Sequence, residues 1–278
     1  MRRLNLISSI LTFVIRNPKA LLIALLVGGL SYSYEVFIAR DTMAFAGIPK
    51  AMDNSIPTYT RIFRNSAYMV GYSDIKGNPL WVVYKLTPPS ENAPRLKRPE
   101  NFNADWRNFG FIDSNDYTNS GYDRGHMAPN HAISLLYGKQ AQIETFLMTN
   151  ITPQKPSLNQ KLWQRLEEIE LESFTSKFKE VWVYTGPLFD EKTTHLKSSR
   201  FVEIPDAFYK IYAGIEENGT IKVLAVIVPQ NAKTNDRIEK YIVSIDEVER
   251  RSGFDFLHQL EDSLEIILEK EINLAPWF

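Results

Sequence analysis

An α+β fold with a mainly antiparallel sheet is what this sequence predicts, and three observations predict it. Short β-branched and aromatic runs recur along the chain, joined by tight-turn signals rather than by helices. One stretch, Leu158 to Phe178, lacks Pro and Gly and repeats apolar residues at helical spacing. Ahead of both stands an apolar segment preceded by positive charge. With 278 residues, 44% of them hydrophobic, the chain can bury one sizeable core or two small ones.

Met1-Arg2-Arg3 opens the chain, and an apolar run follows from Leu4 to Ile15. Arg16-Asn17-Pro18-Lys19 interrupts it, and a second run extends from Ala20 to Ala39, broken in its second half only by Glu35. Counted through Ile38, that run is long enough to cross a bilayer. The positive residues all precede it, so the start of the chain is expected in the cytoplasm and everything after Arg40 outside. An uncleaved anchor is the favoured reading. Cleavage at Ala44-Phe45-Ala46 and secretion is the alternative, but that triplet lies far beyond the apolar core. Residues 1–46 are therefore read as anchor or signal segment and start of linker, 47–58 as linker, and 59–278 as the globular domain.

Within the globular part, Tyr59 to Arg64, Ala67 to Tyr72 and Leu80 to Leu86 read as strands, the last two joined by a turn at Asp74 to Pro79. From Thr87 to Ser120 periodicity is lost, and a loop of that length inside a domain is usually functional. A short helix is expected near Lys139 to Glu144, then the five-turn amphipathic helix from Leu158 with Ser157 as its N-cap. Val181 to Phe189, Phe201 to Ile204, Ala207 to Ile215, Ile221 to Val228 and Tyr241 to Ser244 continue the sheet, with Glu217-Asn218-Gly219 a hairpin turn. Ile245 to Arg251, closed by Gly253, and Phe254 to Lys270 are expected to be helices.

The net charge of -1 and the pI near 6.5 give no global attraction to a polyanion, so any such partner needs a local patch. The stretch from Lys85 to Arg165 supplies one, with an excess of Lys and Arg over Asp and Glu. Cysteine is absent, which excludes disulfides, thiolate catalysis and cysteine-built zinc sites.

Gly121 to Asn130 carries the densest chemistry. Asp123, Arg124, Gly125 and His126 are consecutive, joining an acid, a permanent planar cation suited to phosphate, a residue that lets backbone bend or approach a ligand, and an imidazole. Alone, this tetrapeptide is equally well read as a surface turn with an Asp–Arg pair. Further along, Asn159, Trp163 and Glu167 follow at i, i+4 and i+8 on the long helix, which puts Asn159 and Glu167 on one flank. His131, His195 and His258 receive no role, and Met127 and Trp163 are read as core.

Taken together these residues resemble a family. Asp123-Arg124-Gly125-His126 is similar to the DRGH signature of the DNA/RNA non-specific endonucleases, the ββα-metal nucleases. Asn150-Ile-Thr-Pro-Gln154, Leu158-Asn159, Trp163 and Leu166-Glu167 resemble the next block in order and spacing. Thr185-Gly-Pro-Leu188, Ile204-Pro205 with Tyr209-Lys210, and Asp246 to Gly253 resemble later blocks, so the likeness covers roughly Tyr59 to Leu260.

The resemblance implies a ββα-metal nuclease fold and a Mg2+-dependent hydrolysis of DNA and RNA, with Mn2+ as a substitute metal. It makes His126 the general base, Asn159 the protein ligand of a hydrated ion, Arg124 a phosphate ligand in the transition state, Glu167 the group that orients water, and Asn150 part of the site. Arg95, with Arg98 as alternative, is the expected substrate-binding arginine of the long loop, and Asp123 a structural brace. Family members carry an arginine one turn after the glutamate, where this chain has Leu171. The implied partners are DNA and RNA, the membrane through the N-terminal helix, and a second copy in a homodimer. A catalytically inactive nuclease-like binding domain and a small-nucleotide phosphodiesterase are the alternative functions.

Overall fold

A computed structural model describes residues 12–190, 192 and 194–278. The chain divides into two compact units, Met1–Thr42 and Met43–Phe278.

In the first unit a helix, Pro18–Tyr34, continues as a wider π-helical turn, Glu35–Ala39. The Asn17 side chain accepts from the Lys19 and Ala20 amides, and Pro18 occupies the first turn, where its missing N–H costs nothing. Pro18–Met43 spans 26 residues at mean hydropathy 1.8, long and apolar enough to cross a membrane. Glu35, the acid within the helical part of this span, is paired with Arg40 at 3.5 Å. Most of the earlier apolar run, Leu4 to Ile15, lies outside the described residues.

The second unit is built on a seven-stranded antiparallel sheet. Its strands are β2 (Arg61–Arg64), β3 (Tyr68–Ser73), β4 (Asn78–Leu86), β7 (Glu180–Leu188), β8 (Ala207–Ile215), β9 (Ile221–Pro229) and β10 (Ile242–Val243), in the order β10-β9-β8-β7-β4-β3-β2. Alternation along the strands sorts side chains to two faces. Tyr68, Val70, Val82, Tyr84, Phe208 and Tyr212 join one core; Met69, Trp81, Val83, Tyr209 and Ile211 join the other. The helix over residues 158–177 packs Leu158, Leu162, Trp163, Leu166 and Phe174 into the first core. Helices Ile245–Ser252 and Asp262–Lys270 cover the second through Val248 and Leu268. Met127 and Trp163 are both fully buried, as the sequence leads one to expect.

Five local expectations are corrected. Phe201 to Ile204 forms only a single bridge, because the Glu203 backbone is captured by Lys76 and Asn78 at the β3–β4 turn. Phe254 to Lys270 is not one helix. Phe254–Asp255 is a strand, β11, paired with β1 (Lys50–Ala51), and Leu257 sits at φ 57 before the helix starts at Asp262. Ser157 does not cap the long helix; it is already helical, and the Leu158 and Asn159 amides bond to the Lys155 carbonyl behind it. The short helix runs over Asn130–Thr145, bent at Gly138, whose φ of 80 suits glycine. Residues 47–58, expected as a linker, hold β1, and the Tyr184 hydroxyl donates to the Gly47 carbonyl at 3.1 Å.

Candidate active site

The Asp123–His126 tetrapeptide is a strand, β5, paired antiparallel with β6 (Ile151–Gln154), Asp123 opposite Gln154 and His126 opposite Ile151. The long helix follows directly after β6, so two strands and a helix form one unit on the first face of the sheet. Gly125 serves this pairing rather than a ligand: a Cβ there would lie 2.2 Å from Gln154 Oε1.

Strand and helix together wall a cleft of about 530 Å3. Of the residues expected to act, Asp123, Arg124, His126, Asn159, Glu167 and Arg98 line it. The helix turn Leu158–Trp163 is π-type, which widens the turn and resets its phase. Trp163 therefore points into the core while Asn159 and Glu167 on either side reach the cleft.

His126 is 8% exposed, walled edge-on by Phe146 at 4.9 Å and by Phe102 at 5.4 Å. Burial, helped by the Arg98 charge, drives its pKa from 6.5 down to about 3, so the ring is neutral near pH 7. Its Nε2 is buried with no hydrogen-bond partner. A neutral, unpartnered imidazole nitrogen at a cleft is ready to take a proton.

Arg124 is held from behind. Its Nη2 donates to the Ser114 carbonyl at 2.5 Å and to Thr118 Oγ1 at 3.3 Å, while its Nε is buried and unpartnered. Asp123 Oδ2 accepts from Asn159 Nδ2 at 2.9 Å and from Gln160 Nε2 at 2.8 Å. That contact turns the Asn159 amide so that Oδ1 is its free end, and no hydrogen bond to Oδ1 is seen among the described residues.

Glu167 likewise accepts no hydrogen bond from the described residues, and burial pushes its carboxyl up to about 8, against the pull of Lys210 and with a further push from Glu170. Lys210 and Glu170 lie beneath, fully buried and paired at 2.8 Å, with the Tyr84 hydroxyl bonded to both.

This donor set fits a hard divalent cation that keeps most of its waters. It offers one free amide oxygen braced by a carboxylate, and an acidic side chain nearby whose ionisation a cation would favour. Among the described residues, the acidic clusters tight enough to cage an ion involve Asp246, Glu249, Asp255, Glu265 and Glu269, none of them in the cleft.

Two expected residues sit elsewhere. Asn150 is fully buried outside the cleft, where its side chain accepts from the Ala128 amide at 2.8 Å and donates to the Ala128 and Thr145 carbonyls at 3.0 and 2.9 Å. It ties the chain just past His126 to the end of the Asn130–Thr145 helix. Arg95 lines an adjoining depression instead of the cleft, and Arg98 is the loop arginine inside it. Leu171 is 3% exposed and belongs to the core.

Sequence reasoning passed over His131, which lines the cleft, and the wall residues Asn130, Gln160 and Gln164. The signal for the glutamines was available, since they lie at i and i+4 beside Asn159 on the long helix. His131 lies five positions from His126, the wrong spacing for a pair on one helix, but the strand-to-helix boundary between them lets both line the cleft.

A ββα unit laid on an antiparallel sheet, with a histidine and an asparagine facing one cleft, defines the class of metal-dependent nucleases. The chain matches the DNA/RNA non-specific endonuclease family over residues 50–263, and it belongs to that family. It is 30% identical over 215 residues to mitochondrial endonuclease G of Homo sapiens, covering 73% of this chain and 71% of that protein. It is 30% identical over 220 residues to a nuclease of Nostoc sp., covering 74% and 76%. Among solved structures, endonuclease G in complex with its inhibitor EndoGI superposes with a TM-score of 0.60 at 24% identity, over 74% of this chain and 89% of that one, which shows a shared fold.

Proposed function

We propose that this chain is a membrane-anchored, Mg2+-dependent endonuclease that hydrolyses phosphodiester bonds of DNA and RNA without strong sequence preference. His126 takes the proton of the attacking water at its free Nε2. Burial and the Arg98 charge keep the ring unprotonated near pH 7, and a phosphate in the cleft would offset that charge and raise its basicity toward the working range. Arg124, held by Ser114 and Thr118, meets the phosphate oxygens with its remaining N–H groups. Asn159 Oδ1 would hold the cation, Asp123 keeps the amide in that orientation, and Glu167 would orient water in the cleft. A bound divalent ion would supply charge neutralisation as the phosphodiester is cleaved. Asn150 braces the backbone after His126, and Pro18–Met43 serves as the anchor.

The observation that carries this reading is the cleft shared by a buried, unpartnered imidazole nitrogen and a braced amide with its oxygen free. The test offers plasmid and RNA to the full chain in detergent with Mg2+, with Mn2+ and with EDTA, beside His126→Ala. Cleavage of both polymers that EDTA and His126→Ala abolish is expected. Polymers left intact by the wild-type chain with Mg2+ present would refute the assignment.

A further inference from the structure

The loop from Asp105 to Ile112 is packed inside out. Its polar side chains face the protein. Asp105 is buried and accepts from Arg107 at 2.7 Å and from Thr149 Oγ1 at 2.6 Å; Asn108 is buried and accepts from the Ile112 amide at 3.1 Å. Its large apolar side chains face solvent, Trp106 at 88% exposure, Phe109 at 69% and Phe111 at 83%. Phe111 keeps that direction from a left-handed backbone, φ 49, a conformation bulky residues rarely adopt. Phe109 is fixed as well: its amide donates to Asp74 Oδ1 at 2.7 Å, and the Arg61 guanidinium, paired with Asp74 at 2.7 Å, covers its ring at 3.7 Å. The three rings alone present on the order of 500 Å2 to water, as much as the largest apolar patch of an ordinary monomer.

The β3–β4 turn that carries Asp74 gathers more such surface. Ile75 lines a groove of about 510 Å3 together with Ile56 and Tyr59, and all three are more than half exposed. The Phe201 carbonyl lies 2.5 Å from where a Gly77 Cβ would stand, which brings the loop of Phe201 and the exposed Lys197 and Arg200 to the same turn. At the centre Arg61 and Asp74 cancel, so the surface is apolar and uncharged there, with cations at one edge. The chain itself brings a bilayer within reach. Pro18–Met43 is long and apolar enough to span one, and the groove residue Ala51 follows eight positions later, at most about 30 Å of extended chain. Aromatic rings with a cationic edge suit the boundary between headgroups and acyl chains. Nucleic-acid bases would stack on the rings but gain nothing from Ile56 and Ile75. Resting on the anchor reading above, we propose that the aromatic loop and the β3–β4 turn form a membrane-docking face, which lays the nuclease domain on the lipid surface instead of leaving it free on its tether. Its ligand is the boundary region of a bilayer, with anionic headgroups favoured.

The test reconstitutes the full chain into phosphatidylcholine vesicles with and without phosphatidylglycerol. Of its five tryptophans Trp81, Trp163, Trp182 and Trp277 are buried, so wild type minus Trp106→Phe isolates the one at the surface. Flotation after a carbonate wash reads the span separately. Trp106 emission should be blue-shifted, shielded from acrylamide and quenched by lipid spin-labelled near the headgroup. Phe109→Ser with Phe111→Ser should lower the docked-to-free ratio about 100-fold and abolish that quenching. Lys197→Ala with Arg200→Ala should lower it about 10- to 30-fold, and only where phosphatidylglycerol is present. Urea midpoints matching wild type show that both double variants are folded.

A chain that floats while Trp106 stays open to acrylamide and unquenched by the labelled lipid overturns the inference and leaves the anchor standing. Shielding without lipid quenching overturns it too. It points to a second copy where it fades as protein is diluted in lipid, and to nucleic acid where it appears only on adding single-stranded DNA in EDTA. A chain that the carbonate wash strips from the vesicles refutes the anchor reading itself.

Discussion

The buried pair Lys210–Glu170 carries a sharp energetic prediction. Both side chains are 0% exposed, their charged atoms are 2.8 Å apart, and the Tyr84 hydroxyl bonds to each. Lys210→Met leaves the Glu170 carboxylate without its cation in the core beneath the helix that carries Asn159 and Glu167. Stranding one member of a buried pair costs about 3–5 kcal/mol, whereas replacing both by apolar residues of similar volume is near neutral. Lys210→Met and Glu170→Leu should each lower the unfolding free energy by that amount, and the double variant should recover most of it, a coupling of several kcal/mol. Urea unfolding followed by tryptophan fluorescence reads this well, since Trp163 lies 5.0 Å from the Lys210 ammonium. Activity should follow the same pattern, because Lys210 and Glu170 act on Glu167 with opposite sign and removing both largely cancels. Single variants that cost under about 1 kcal/mol, or a double variant no better than the singles, would refute the reasoning.

Three further outcomes follow from the site. Asp123→Ala frees the Asn159 and Gln160 amides and should weaken Mg2+ activation about 10- to 100-fold, the usual loss when a ligand's support is removed; an unchanged Mg2+ titration argues against Asn159 as the ligand. Glu167, whose carboxyl is raised from 4.5 to about 8, binds its proton more tightly folded than unfolded. In EDTA its contribution to stability is full below pH 4.5 and is lost as pH rises through about 8. Glu167→Gln should flatten that decline, and parallel unfolding-versus-pH curves for the two proteins would contradict it. Gly125→Ala should cost about 1–3 kcal/mol through the clash with Gln154, with partial rescue by Gln154→Ala in urea midpoints.

Much of this architecture is legible from residue type and spacing because the determining interactions are local. The strands from Tyr68 to Leu86 alternate between two cores, the turn at Gly219 has φ of 85, and Gly253 closes its helix in the left-handed conformation. The residues that share the cleft were legible because Asp123, Arg124 and His126 are contiguous and Asn159 and Glu167 share a flank. What escaped depends on partners distant in sequence. Phe201 to Ile204 has strand-like residues, yet its backbone is taken by a turn more than a hundred positions earlier. Asn150 carries the side chain of a site residue, but the groups it meets at Ala128 and Thr145 make it a brace. Leu257 gives no warning of its left-handed backbone, so the apolar run after Phe254 imitates a helix.

Near-zero net charge and a polyanionic substrate are reconciled by where the acids lie. Asp246, Glu249, Asp255, Glu265 and Glu269 gather on the elements that cover the second core, while the cleft opens from the ββα unit on the first. The sheet and its covering layers separate the two by roughly 20 Å, taking about 10 Å per packed layer. At 0.15 M salt the screening length is about 8 Å, so the acidic face is invisible to a phosphate in the cleft; at 0.01 M it is about 30 Å and is felt. Asp255→Asn with Glu265→Gln should therefore lower KM for DNA at 0.01 M salt and leave it unaltered at 0.15 M. An equal effect at both salt concentrations would mean that the acidic face touches substrate directly, and the segregation of charge across the sheet would lose its meaning.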